Sequence, residues 1–165
     1  MKLRWFAWFF FSLIAGLVQA QGASMNTPKA ECENLMSQAL PFAYQMLEKH
    51  GKFFPYGQAL STSGSVVAVG ATDSRTSPSS AELIKLLKSA FSAGARDGQY
   101  KATALIYDAK IALPSTGAKT DAIIVSLNHR ENYSVQVFIP YRLKNGKALY
   151  SNEIFSQQGE GDIFK

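Results

Sequence analysis

From Ala30 to His50 the apolar residues Leu35, Met36, Ala39, Leu40, Ala43, Met46 and Leu47 return every three or four positions, with polar side chains between them. That period lays one apolar stripe along a helix. Cys32 shares the stripe with Met36, Leu40 and Ala43, which places its thiol in the core as a small hydrophobe. Pro41 has no N–H to give the carbonyl of Ser37, so the helix is expected to kink or divide there. Gly51 stands where the helix should close in a left-handed conformation. A second helix is expected after Ser79, which has capping-box spacing to Glu82. Its buried stripe is Leu83, Ile84, Leu87, Ala90 and Phe91, with Lys85 and Lys88 facing out.

Elsewhere the pattern shortens to β-favouring runs. Phe53–Leu60 and Ser65–Thr72 flank Ser61–Gly64 and read as a hairpin, followed by a loop that carries Asp73, Arg75 and Pro78. Tyr100–Leu113 reads as one long strand, with a bend or bulge expected near Asp108-Ala109. Ile123, Val125, Leu127 and His129 then alternate on one face, as do Tyr133, Val135, Val137, Ile139 and Tyr141 on the next strand. Arg130-Glu131-Asn132 joins them with Asn132 left-handed, which sets His129 opposite Tyr133, Leu127 opposite Val135 and Val125 opposite Val137. Asn145-Gly146 is a second hairpin turn, leading into Lys147–Tyr150. Pro140 lacks a ladder donor, so its amide side must face an edge or an irregularity. This order predicts an α+β fold with two helices packed on one face of a five- or six-stranded, mainly antiparallel sheet.

The ends of the chain divide it further. Lys2 and Arg4 precede a fourteen-residue apolar run, Trp5–Val18, and Val18-Gln19-Ala20 presents small side chains for a peptidase. A spanning helix needs about 20 apolar residues and a signal-peptide core about 7–15. Residues 1–20 are therefore expected to be a cleaved signal peptide, 21–29 a flexible lead-in and 30–165 a single domain. The expected location is the bacterial periplasm or the exterior, without stable membrane insertion after cleavage. Loss of the leader takes Lys plus Arg from 17 to 15 against 12 acidic residues, so the net charge falls from +5 to +3. That modest surplus, on an exported chain, argues against nucleic acid as the partner. One domain of this size needs no disulfide staple, and Cys32 has no partner in the chain.

Candidate chemistry is sparse. No Gly-x-Ser-x-Gly, Cys-x-x-Cys, His-x-x-His or phosphate-binding glycine motif occurs, so neither a metal nor a cofactor is expected. His50 reads as a helix-end cation and His129 as a strand end. A Cys32–His pair is formally available, but Glu31 and Glu33 beside the cysteine favour the neutral thiol. The most unusual composition is Phe53-Phe54-Pro55-Tyr56-Gly57. Alternation puts Phe54 and Tyr56 on one face and Phe53 on the other. The segment either packs one end of the core, with Pro55 guarding an edge strand, or forms an aromatic patch for a protein partner.

Three segments carry a resemblance: Met46–Gly57, Asp121–Val125 and Ile139-Pro140-Tyr141. They resemble a loosely defined group of small, mostly uncharacterised bacterial α+β proteins that pair a Phe-x-Pro-aromatic-Gly strand with a later strand ending in Pro-Tyr. The resemblance implies a fold and brings no catalytic residue. Size, expected export and the thin inventory of reactive groups then suggest a non-enzymatic binding protein, such as a periplasmic immunity protein that neutralises a secreted antibacterial toxin. An envelope hydrolase with an unrecognised site, or an accessory subunit of an envelope complex, is the alternative. Interfaces concentrate their energy in Tyr, Trp and Arg, so the candidate anchors are Tyr56, Tyr141 and Arg142. Arg142 alternates to the solvent side, whereas Tyr141 shares the face of Val135, Val137 and Ile139 and can instead belong to the core.

Overall fold

The computed structural model describes residues 27–70 and 78–165. The expected leader, residues 21–26 and the loop segment 71–77 with Asp73 and Arg75 lie outside the described residues.

Helix α1 is Pro28–His50, and it starts two residues before the apolar period becomes visible, inside the expected lead-in. The Thr27 hydroxyl accepts from Ala30 N–H at 3.2 Å, and Pro28 sits where a missing N–H costs nothing. Pro41 does not divide the helix. It and Ser37 are both exposed, so the carbonyl that Pro41 leaves without a donor faces water. Gly51, at φ 66, closes the last turn and donates to Leu47 O at 2.9 Å. Helix α2 is Ser80–Arg96, opened by the expected capping box between Ser79 and Glu82.

The strands are β1 (Tyr56–Ser61), β2 (Val66–Val69), β3 (Tyr100–Ala112), β4 (Lys119–His129), β5 (Tyr133–Lys144), β6 (Lys147–Tyr150) and β7 (Phe155–Gln158). They form one sheet in the order β2-β1-β3-β4-β5-β6, with β7 also on the outer side of β5. All pairings are antiparallel. The β4–β5 register is the expected one, with His129 opposite Tyr133 and Val125 opposite Val137. Asn132, Asn145 and Gly146 all have positive φ, as their turns require. Pro140 falls in the gap between the β7 pairing at Val135–Phe138 and the β6 pairing at Tyr141–Lys144. Its carbonyl accepts from Ser151 N–H at 2.8 Å, so its missing donor interrupts no ladder. No bulge falls at Asp108-Ala109, because β3 keeps register with β4 throughout. The irregularity sits at the start of β3: Leu60 pairs with Ala102 and Ser61 with Tyr100, leaving Lys101 as the extra residue.

The α+β architecture is the expected one, but the two helices divide between the faces of the sheet. Ala102, Ala104, Ile106, Ile123, Val125 and Leu127 receive α1 through Cys32, Leu35, Ala39, Ala43 and Leu47. Ala59 and Leu105 receive α2 through Leu87 and Phe91, together with Ile163 near the C-terminus. Strand β3 is buried on both sides from Ala102 to Ile106, so one layer of helices could not cover it. The aromatic segment also departs from simple alternation. Phe53 is only 7% exposed and meets Tyr56 in the α1 core, whereas Phe54 points out at 64% exposure. Strand β1 is internal, flanked by β2 and β3, so Pro55 guards no edge.

Beyond β7 the chain crosses the α2 side of the sheet. Gly161 N–H donates to Ser134 Oγ at 3.1 Å, and Lys88 of α2 bridges Glu160 and Asp162. Ile163 is then seated against Leu87 and Phe91.

Candidate functional site

The three functional groups that the fold brings together lie at the N-terminal end of α1. Glu31 is in the first helical turn, where a carboxylate suits the positive end of the dipole. The bulge at Lys101 releases that side chain from the alternation of β3, and its ammonium pairs with Glu31 Oε1. His129, at the end of β4 and 4% exposed, donates from Nε2 to Glu31 Oε2 at 2.9 Å. The tautomer follows from the other nitrogen, since Nδ1 accepts the backbone N–H of Glu131 at 3.1 Å. Burial pushes the Glu31 carboxyl up, but the hydrogen bonds from Lys101 and His129, with the charge of Lys101, outweigh it and hold the group below the usual carboxylate range.

An acid, an imidazole and an ammonium within reach of one another invite a catalytic reading. The geometry gives each of them a partner within the fold. Neither ring nitrogen of His129 is free to accept a proton from a substrate, because one holds the Glu131 amide and the other already carries its proton toward Glu31. The neighbouring Cys32 is fully buried, and burial, with Glu31 and Glu33 beside it, pushes its thiol up to about 12. A neutral thiol is a poor nucleophile. A crevice of about 360 Å³ opens beside the cluster between α1 and the β1–β2 hairpin, lined in part by Asn34, Gln38, Leu60 and Val66. Among the described residues no group of three or more His, Cys, Asp or Glu side chains could hold a metal ion.

The three expected anchors do not form one surface. Tyr56 donates its hydroxyl to Ala39 O at 2.7 Å and meets Phe42 edge to face at 4.9 Å, on the β1 flank of α1. Tyr141 is 2% exposed, and its hydroxyl donates to Asp108 at 2.9 Å in the α1 core. It supports the strand rather than presenting a free side chain, as its register on the core face implies. Arg142 is exposed on the opposite face of β5, beside its cross-strand partner Leu149 and a shallow groove that includes Thr120, Pro140 and Ser151. Two strands, β3 and β4, separate Tyr56 from the β5 pair. His50 is exposed in the last turn of α1, at the far end of the helix from His129.

The partnership of Glu31 with Lys101 and His129 spans 70 and 98 residues of chain, and no local spacing announces it. No family model matches the chain, and no match was found among curated proteins or solved structures.

Proposed function

We propose that the chain is an exported binding protein without chemistry of its own, of the kind that neutralises an antibacterial toxin by capping it. The observation that carries this reading is the internal satisfaction of the Glu31–Lys101–His129 cluster, which leaves no group poised for proton transfer. The signal-like leader supports export to the periplasm. Among the described residues no helix is long and apolar enough to cross a membrane. Arg142, exposed beside a groove, and Tyr56 with Phe42 are the anchors available on the two flanks of the sheet.

The test is affinity capture of the protein from the periplasm, followed by mass spectrometry and a protection assay with the captured toxin. One stoichiometric protein partner is expected. Arg142→Ala should weaken its binding by about 1–2 kcal/mol without loss of fold, and protection should fall in parallel. Hydrolysis of envelope material that disappears in a folded His129→Gln variant would overturn the reading in favour of an enzyme.

A further inference from the structure

At the end of the sheet away from Arg142, strand β2 leaves an edge with no strand on its outer side among the described residues. Natural edges carry guards such as lysine, proline or a bulge. Residues 61–70 contain no charged residue and no proline, and β2 keeps register with β1 from Val66 to Val69. The backbone groups it offers follow from the turn before it. Gly64, at φ 91, donates to Ser61 O, and Ser61 N–H donates to Ser65 O at 2.9 Å, so Ser61 and Ser65 form a hydrogen-bonded pair. Such pairs alternate along an antiparallel ladder. Val67 and Val69, opposite Ala59 and Gly57, therefore direct their N–H and C=O groups toward β1, and Val66 and Ala68 direct theirs outward.

The side chains match this edge to itself. Val66 packs in the α1 core, and Ala68 is exposed on the same face. Val69 packs in the α2 core, while Val67 on that face is 36% exposed. Lys88 marks the flank of α2 that faces the C-terminal segment, and Leu86, about 200° away around the helix, stands on the flank toward β2. Leu86 is 38% exposed, and Ala90, one turn on, is exposed as well. A two-fold axis normal to the sheet keeps each face on its own side, so it must pass through a residue that pairs with itself. Centred on Ala68, it lets the two Ala68 residues exchange both backbone bonds, sets Val66 opposite Gly70, and packs Val67 against Val69 on the side of Leu86. A foreign strand would meet no charge here to select it, whereas a second copy brings the matching row. We infer that β2 pairs antiparallel with β2 of a second copy, joining the two sheets in a homodimer. With four residues β2 makes few backbone bonds, so Val67, Val69 and Leu86 supply much of the contact. The inference goes beyond the toxin-binding reading and does not depend on it.

The test uses the chain produced from its full sequence, with its start read by intact-mass analysis. Sedimentation velocity should show a concentration-dependent dimer. Ala68→Pro removes an outward donor and leaves the β1 ladder whole, and Ala68→Lys sets like charges opposite each other across the axis. Each should raise the dimer dissociation constant at least about tenfold, with unfolding curves confirming the fold. If the proline variant does not fold, the lysine variant decides. Single cysteines read the register independently of any association through residues 1–20, and where those residues are retained the cysteines decide. Residues opposed in a hydrogen-bonded pair lie about 5.5 Å apart at Cα, within a disulfide's reach. Ala68→Cys should therefore oxidise to a covalent dimer, whereas Val66→Cys, far out of register with its own copy, should not. Cys32 is fully buried and does not compete. A monomer at every concentration, an unchanged dissociation constant in the folded variants, or equal cross-linking of Val66→Cys and Ala68→Cys overturns the inference. So does a one-to-one complex of the β2 edge with a different protein in place of self-association, which would assign the edge to a foreign strand.

Discussion

His129 Nε2 lies 2.9 Å from Glu31 Oε2, joining the last residue of β4 to the first turn of α1 across 98 residues of chain. With Lys101 on the other carboxylate oxygen, Glu31 fixes the position of α1 on the sheet at one end. Tyr56 does the same from β1 through its bond to Ala39 O in the middle of the helix. Polar contacts of this kind contribute by specifying register as well as by energy.

Glu31→Gln should destabilise the protein by about 1.5–3 kcal/mol at neutral pH, the scale of hydrogen bonds to charged groups. Because the folded-state pKa of Glu31 lies below its ordinary 4.5, its contribution is present above 4.5 and is lost as pH falls through the lowered value. Denaturant unfolding followed from about pH 7 to about pH 3 should therefore show a flatter acid limb in Glu31→Gln than in the wild type. An equally steep limb in both would assign acid sensitivity elsewhere, with Asp162, also lowered through Lys88, the next group to replace.

Gly57→Ala should cost about 1–3 kcal/mol through overpacking. A Cβ there would collide with the ring of Phe91, which is nearly inaccessible and lies in the α2 core. Equilibrium unfolding measures the loss, and a combined Gly57→Ala, Phe91→Leu variant should recover part of it. No recovery would place the strain in the backbone of β1.

Ile163→Ala should cost about 2–5 kcal/mol although it lies only two residues from the chain end. Ile163 seals the α2 core beside Leu87 and Phe91. Deleting residues 159–165 should also raise exchange of the backbone amides along α2. Stability equal to the wild type would show that this segment does not contribute to the core.

Cleavage after Ala20 would remove Trp5 and Trp8, the only tryptophans in the chain. Protein recovered from the periplasm should then emit from its seven tyrosines alone. Tryptophan-type emission would show that the leader is retained.

Local pattern carried much of this fold. The stripe from Cys32 to Leu47, the Ser79–Glu82 capping box, the β4–β5 register and the Asn145-Gly146 turn were all legible, because each depends on residues a few positions apart. Pro140 announced an interruption for the same reason: a missing donor is a covalent fact. Which face each helix would take was not legible. Alternation shows that a strand has an apolar face but not how many faces will be covered. The unbroken burial of Ala102 to Ile106 acquires its meaning only when helices arrive from both sides. The bulge at Lys101, the seat of Ile163 and the Glu31–Lys101–His129 cluster belong to the same class. Each is a contact between distant segments, settled by how α1, α2 and the C-terminal residues pack against one sheet, and tertiary packing decides such contacts because no short stretch of chain encodes a partner 70 or 98 residues away.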